Sequence, residues 1–530
     1  MKRIHRLLFS VSSGVLLSLP WLGLPGWILF FAFVPLLYLE NFFFKYKKGF
    51  PSVSLWGHIF LAATIWNVLA SWWMTKVSLA GVGAAMIFNA FLMSLVWWAA
   101  HSIRRKFSSA LGYIALVSFW TTLEYLQFNW DIEWPCLQLG SGLANNIQII
   151  QWYEYTGAFG GTLWILLLNM VLFKLVRSYQ EKTHLLKVRI TYTTAFSLLI
   201  LVPIIQSLFV YHTYSEKKDQ INISIVQPNV DPYTEKFDMD SEEQKLMDFI
   251  RLANEVTNGS TDFIVGPETL FEHQYLWNED DFRSNHFLMQ VQHFLNKFEK
   301  AEMVFGVSSF KVYEDEDEIT ASAQNKDGVI YDRFNTAMLL NKVGETQIYH
   351  KSKLVAGVEK VPYQKYFSVL KNSYIDLGGT SGTLGRQAEA SNLVSQNGVV
   401  IAPVICFESV FGHYVSEYVK RGAEVIFVIT NDGWWKNSRG YKQHLLFSQL
   451  RAIETRRSIA RAANTGTSCF INQRGQVLQA TNWWKEEAIT GSINKNDKLT
   501  YYAKHGDFVA RSAVFVSVML VLLVFVKRFR

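Results

Sequence analysis

Three side chains that can carry out acyl transfer together stand in three separate segments of this chain: the thiol of Cys406, the carboxylate of Glu268 and the amine of Lys351. Cys406 lies in GVVIAPVICFES (398–409), an apolar, β-branched strand that opens into a turn and then an amphipathic helix over 410–420. A thiol at that point is presented by a rigid strand end, with the N–H groups of the following turn available to a developing oxyanion. Free cysteines are also ordinary core residues, so this stretch alone leaves both readings open. Glu268 ends a second apolar strand, DFIVGPET (262–269), and Lys351 lies in IYHKSKLVAGVE (348–359). In such a set the thiolate attacks a carbonyl, the carboxylate takes and returns protons, and the ammonium stabilises the tetrahedral oxyanion. A Cys-His pair is the competing way to activate sulfur. His350 alternates to the other side of a strand from Lys351, and nothing in the pattern favours His413 or His444.

The elements that must position these groups alternate between strand and helix. Strands are expected at 221–226, 262–268, 303–308, 336–340, 399–406 and 425–430, with helices at 241–256, 287–300, 410–420 and 441–458, and a terminal pair of strands at 469–472 and 476–480. That alternation predicts an α/β layered domain. The acidic run at 314–318 reads as a solvated loop, because its spacing does not match a calcium loop.

The 530 residues are 50% hydrophobic and 15% aromatic, but unevenly so: apolar runs dominate up to residue 214, and a mixed, charged composition follows. Eight stretches, at 4–21, 26–44, 55–74, 82–100, 110–128, 153–175, 192–211 and 509–526, are each near the roughly 20 residues that a helix needs to cross a bilayer. The division expected is a seven-span domain (1–214), a catalytic domain (215–506) and a closing span (507–530). Basic residues fall in alternate connections, among them Lys2, Arg3 and Arg6, then Lys45, Lys47 and Lys48, then Arg104, Arg105 and Lys106, which puts those connections in the cytoplasm and the polar domain outside. The same residues account for the net charge of +7 without nucleic acid, since the polar domain has no basic stripe interleaved with aromatics. Glu124, near the end of the fifth span, calls for a polar partner or a headgroup. Three cysteines make no disulfide framework, and no spacing suggests a zinc site.

The segments around Glu268, Lys351 and Cys406 resemble the nitrilase superfamily, whose members use Glu, Lys and Cys together on an α-β-β-α sandwich. With seven spans before the domain and one after, the chain is similar over essentially its whole length to the bacterial apolipoprotein N-acyltransferases. The resemblance implies Glu268 as general base, Lys351 as oxyanion stabiliser and Cys406 as nucleophile. It adds Glu359, Phe407 and Glu408 as supporting residues, and Phe237, Asn431, Asp432, Trp434 and Trp435 as a substrate or lid group, with Gly433 in the same aromatic loop. The chain departs from the usual pattern at Gly266 before Pro267 and Glu268, at Ala356, Gly357 and Val358 before Glu359, at Phe407 in place of tyrosine, and at Phe237 in place of tryptophan.

The implied reaction is ping-pong. An acyl chain passes from a membrane phospholipid, phosphatidylethanolamine by the family's habit, to Cys406, and then to the α-amino group of a diacylated apolipoprotein. No metal or organic cofactor is implied, and the protein is expected to be a monomer in a bacterial inner membrane with the catalytic domain on the periplasmic side. A membrane-tethered amidase that uses water as acceptor is a second reading. A receptor or transporter with an extracytoplasmic binding domain is a third, against which most spans lack ionisable residues or paired broken helices.

Overall fold

The structure is a computed structural model and describes residues 1–181, 186–236, 242–272, 277–363 and 383–527. The chain divides into two compact units, Met1–Tyr214 with His505–Arg530, and Ser215–Lys504.

The first unit is helical. In chain order come α1 (Arg3–Ser18), α2 (Leu29–Ala32), α3 (Val34–Lys45), α4 (Val53–Ser71), α5 (Leu79–Lys106), α6 (Ser109–Asn129), α7 (Tyr153–Gln180) and α8 (Leu186–Thr213). Among the described residues, six segments are long and apolar enough to cross a membrane: Gly26–Lys45, Val53–Lys76, Leu79–Lys106, Tyr153–Gln180, Leu186–Thr213 and Phe508–Val526. Of the other two stretches, α1 has only 16 residues, and α6 carries Glu124 and Gln127. Irregular backbone inside this unit is satisfied by side chains, as it must be away from water. Where α2 gives way to α3, Asn169 of α7 accepts from the Phe33 N–H at 2.8 Å and donates to the Leu29 carbonyl at 2.7 Å. Glu124 is buried and accepts from Trp120 Nε1 (2.9 Å), the Leu139 N–H (2.9 Å) and Thr162 Oγ1 (2.6 Å). The polar partners it calls for are therefore internal ones, which tie α6 to α7 and to the 3-10 segment Leu139–Ile149.

The second unit contains the strands β1 (Gln220–Gln227), β2 (Phe263–Val265), β3 (Glu302–Val312), β4 (Gln324–Lys326), β5 (Val329–Leu340), β6 (Thr346–His350), β7 (Leu393–Val394), β8 (Val400–Ile405), β9 (Val425–Thr430), β10 (Ile459–Ala463), β11 (Cys469–Ile471), β12 (Val477–Ala480) and β13 (Glu487–Asn494). Its helices are α9 (Glu242–Val256), α10 (His286–Leu295), α11 (Gly412–Lys420), α12 (Arg439–Thr455) and α13 (Tyr501–His505), and α14 (Phe508–Val526) closes the chain in the first unit. One sheet runs β13-β1-β2-β3-β5-β4 with β6 on β5, and the other runs β12-β11-β10-β9-β8-β7. Neighbours β1, β2 and β3 are parallel, and so are β8, β9 and β10.

Side-chain alternation sorts the core into layers. Phe263 and Val265 join Val404, Val428 and Ala460 between the sheets, where the Phe263 and Phe427 rings meet at 5.4 Å. Ile264, between them in sequence, faces Leu246 and Phe249 of α9. The layering is α-β-β-α, with α9 and α10 on one side and α11 and α12 on the other. Each fully buried Ile or Val in such a core contributes about 1.5–3 kcal/mol.

The structure corrects several expected elements. The pair at 469–480 is not terminal, because β13 follows and pairs antiparallel with β1. The expected helix over 441–458 is α12, which stops at Thr455 with Arg456 left-handed (φ 50°) where a glycine would have signalled the end. Its expected tail thereby becomes the approach to β10. The expected helix over 287–300 ends at Leu295, and β5 begins at Val329, well before the expected 336.

Candidate active site

The candidate groups stand at strand ends. Glu268 follows β2, Lys351 follows β6, Cys406 follows β8, and Asn431 follows β9. For Glu268 the chain needs an unusually close approach to β3. A Cβ on Gly306 would lie 2.4 Å from the Thr269 nitrogen and 2.8 Å from the Glu268 Cα, so glycine is required there. The Gly306 N–H donates to the Pro267 carbonyl at 2.9 Å, and Thr269 is left-handed at φ 43°.

Glu268 is buried. Its Oε1 accepts from Lys351 Nζ at 3.0 Å and Asn335 Nδ2 at 2.8 Å, and its Oε2 accepts from the Asn431 main-chain N–H at 3.1 Å. Lys351, only 1% exposed, also donates to Glu359 Oε1 at 2.8 Å, while Asn335 Nδ2 reaches the same oxygen at 3.2 Å. Glu359 is aimed by a tight turn: Gly357 has φ 82°, and the Val355 N–H donates to Glu359 Oε2 at 2.8 Å. Burial works against both charges, but it does not prevail. The attraction of Lys351, then of Lys236, with the Asn335 hydrogen bond, holds the Glu268 carboxyl below its ordinary range, and Glu268 and Glu359 hold Lys351 well above its own. The resting pair is carboxylate and ammonium.

Cys406 starts the 3-10 turn Cys406–Val410 in a left-handed conformation, φ 49°. Such strain at a non-glycine residue is typical of positions held for function. Burial pushes the thiol up from its ordinary range and the Glu268 charge raises it further, while Lys351 and a hydrogen bond with the Thr430 side chain pull it back. The resting sulfur is a neutral thiol in the field of both charged partners. Attack by this sulfur requires its proton to leave as the new bond forms, and a carboxylate that is already ionised can take it.

Glu408 has a different environment. Its Oε1 accepts from Tyr349 Oη (2.6 Å) and the Ser352 (2.7 Å) and Lys353 (3.2 Å) N–H groups, and its Oε2 accepts from the Ile405 N–H at 2.9 Å. It ties the turn behind Cys406 to the segment that follows Lys351. Phe407 is half-buried, with its ring edge-on to Phe411 at 5.1 Å.

The 431–435 group divides. Asn431 Oδ1 accepts from the Gly433 N–H at 3.2 Å, forming the turn into Asp432–Trp435. Asp432 is fully buried and faces inward, to His444 Nδ1 at 2.9 Å and the Arg461 guanidinium at 2.8 Å. Trp434 and Trp435 are half-buried; the Trp434 carbonyl accepts from Tyr233 Oη at 2.6 Å, and the Trp435 ring meets His444 edge-on at 5.2 Å. Phe237 lies outside the described residues.

The three histidines are engaged as follows. His350 bonds Thr336 and stacks on Phe334, His413 pairs with Glu417 at 3.6 Å, and His444 faces the Cys406 carbonyl. Two residues enter the site that the sequence did not single out. Asn335 stands mid-strand in β5, and only its bridging position between two carboxylates marks it. Lys236 sits among charges in YTEKFD, where a lysine reads as solvated. It is nonetheless buried, 2.7 Å from Thr269 Oγ1, 2.9 Å from Glu272, and 5.3 Å over the Trp434 ring.

A two-sheet sandwich with an acid, an amine and a thiol at its strand ends defines an acyl-transferring class. Residues 222–498 match the family model for carbon-nitrogen hydrolase, and the chain belongs to that family. Residues 13–171 match the model of the apolipoprotein N-acyltransferase N-terminal domain. Among curated proteins, the chain is similar to the apolipoprotein N-acyltransferase of Chlorobaculum tepidum, 29% identical over 540 residues with 97% of this chain and 96% of that one covered. It is also similar to those of Geobacter metallireducens, 25% identical with 98% and 95% covered, and Thermotoga maritima, 25% identical with 99% and 94% covered.

Proposed function

We propose that this protein transfers an acyl chain from a membrane phospholipid, through a thioester on Cys406, to the α-amino group of the diacylglyceryl-cysteine that begins an apolipoprotein. The observation that carries the reading is the buried Glu268–Lys351 pair, 3.0 Å apart, at strand ends of the same sandwich that presents the buried Cys406 thiol in a left-handed turn. The similarity of both parts of the chain to apolipoprotein N-acyltransferases supplies the substrate class.

In the first half-reaction the sulfur attacks the sn-1 ester carbonyl of the phospholipid, phosphatidylethanolamine in the simplest case, while Glu268 takes the thiol proton. The tetrahedral oxyanion forms beside the Lys351 ammonium and the turn N–H groups that follow Cys406. When the C–O bond breaks, Glu268 returns the proton to the departing lysophospholipid alkoxide, leaving the thioester. In the second half, the acceptor's amine attacks that thioester, Glu268 takes a proton from the nitrogen, and the Cys406 sulfur leaves and is reprotonated. Both substrates are lipids, which is why the catalytic unit is joined to membrane helices. All eight helical stretches cross an inner membrane in this reading, with the basic connections in the cytoplasm and Ser215–Lys504 on the periplasmic side of a monomer.

The test is the mass of a lipoprotein N-terminus after incubation with the purified full chain and phospholipid. Addition of one acyl group as an amide is expected. Release of lysophospholipid and free fatty acid with no amide product would replace the reading with hydrolysis.

A further inference from the structure

The carbonyl of Cys406 accepts two side-chain hydrogen bonds, from Ser409 Oγ at 2.8 Å within its own turn and from His444 Nε2 at 3.0 Å from α12. Ser409 Oγ also lies 3.0 Å from Nε2; with the hydroxyl proton given to the carbonyl, Nε2 faces two acceptors and is left to donate. The other ring nitrogen lies between Asp432 Oδ1 at 2.9 Å and Arg461 at 3.1 Å, and Asp432 Oδ2 takes the same guanidinium at 2.8 Å. His444, Asp432 and Arg461 are all buried. Asp432 follows Asn431, whose main-chain N–H holds Glu268 Oε2, and accepts from Thr430 Oγ1 at 3.3 Å. One short run of chain thus holds the base directly and reaches the nucleophile's carbonyl through the imidazole.

We propose that His444 is a positioning residue for the nucleophile: by donating from Nε2 to the Cys406 carbonyl it fixes the left-handed turn that aims the sulfur and the N–H groups after it. The inference rests on the reading of Cys406 as the nucleophile. A φ of 49° is one that a cysteine leaves readily unless its peptide planes are held, and Ser409, in the same turn, moves with it. His444 belongs to another element and, through Asp432 and Arg461, is tied to the turn after β9 and to β10. It therefore anchors the turn to something that does not move with it. The edge contact with Trp435 places this anchor directly under the aromatic turn.

Two isosteric amides separate this role from packing. In His444→Gln the amide nitrogen reaches the place of Nε2 and can donate to the Cys406 carbonyl, whereas in His444→Asn it reaches only the place of Nδ1. The full chain in detergent is treated with iodoacetamide, and the alkylation rate of Cys406 is read by peptide mass; single-turnover acyl-enzyme formation from labelled phospholipid is followed in parallel. His444→Gln is expected to stay close to the unsubstituted protein in both. His444→Asn and His444→Ala are expected to lose about thirtyfold to a hundredfold in rate, the scale of a small misplacement of reacting atoms, with phospholipid affinity little changed. Equal rates for the Gln and Asn variants, whether both retained or both lost, overturn the proposal, as does retention by Asn alone. Iodoacetamide needs no lipid site. If the alkylation order holds while the unsubstituted protein moves no acyl group, the transfer reading falls and this one stands; if transfer proceeds with the order broken, the reverse applies.

Discussion

Glu359 accepts from the Lys351 ammonium at 2.8 Å, and both side chains are buried. The amine therefore has a partner besides Glu268, and the charge it offers an oxyanion persists when Glu268 is protonated in mid-reaction. Glu359→Gln removes that partner. Lys351 keeps Glu268, so the loss falls below that of a wholly unpaired buried charge: about 2–3 kcal/mol of stability is expected. Chemical unfolding checks it. The maximal rate of acyl-enzyme formation should drop, with a smaller change in the phospholipid concentration that gives half of it.

Glu408 is expected to matter through geometry. Its carboxylate faces three main-chain N–H groups and Tyr349 Oη, so every contact requires an acceptor. Glu408→Gln turns an NH2 group towards at least one donor, leaving it unsatisfied at a cost of about 1–3 kcal/mol and loosening the link between the Cys406 turn and the Lys351 segment. A fall in melting temperature should accompany the fall in rate. An unchanged melting temperature with lost activity would point instead to direct contact with substrate.

The contrast between Glu268 and Lys236 shows how much of this site the sequence displayed. Glu268 and Cys406 each end an apolar strand, so periodicity and residue type expose them, whereas Lys351 follows the polar strand β6 and is marked by the motif around it. Lys236 and Asn335 sit in stretches that carry no such break, and their role exists only once two sheets and a loop have come together. The same holds for the fold. Long β-branched strands such as β8 and β9 were legible because they are buried on both faces, whereas β10, IARAA, hides an inward arginine among alanines, and β13 is half-exposed and begins at a glutamate.

The pH profile of acyl-enzyme formation follows from the charges. Glu268 is held below the usual carboxylate range, so the base stays competent through mild acid and the rate should fall only below the ordinary glutamate value of about 4.3. The Cys406 thiol is raised, so no increase is expected near the ordinary cysteine value of about 8.5. Lys236→Met removes a cation from beside Glu268, raises its pKa and should move the acid limb upward. Stability has the same sign. Glu268 and Asp432 are both depressed, so their contribution is present above the unfolded carboxylate pKa and is lost as pH falls through the folded values. A rate that rises with thiolate formation would contradict this account.

Alternating basic connections predict the topology. Reporter fusions after Tyr214 and after Lys527 should report opposite sides of the membrane, since one further helix, α14, lies between the catalytic unit and the end. The same side for both would remove α14 from the set that crosses.

The last prediction separates the three cysteines, all of which are free. Cys406→Ser keeps the size and hydrogen bonding of the side chain but exchanges a good nucleophile and a good thioester leaving group for an alcohol, so transfer should stop or stall at a slowly turned-over ester. Cys469 is buried in β11 and Cys136 lies in the 3-10 turn Pro135–Leu137 of the first unit, and each should tolerate serine with a much smaller loss. Lys351→Ala removes the charge beside the oxyanion, at a cost of roughly 3 kcal/mol or about a hundredfold in rate. Glu268→Gln keeps the packing and removes the base, slowing acyl-enzyme formation without weakening lipid binding. Each variant is incubated with a phospholipid labelled in its acyl chain and no acceptor, and the protein is examined for label that hydroxylamine releases. Label on Cys136 or Cys469, or a hydroxylamine-labile thioester persisting in Cys406→Ser, would move the nucleophile elsewhere.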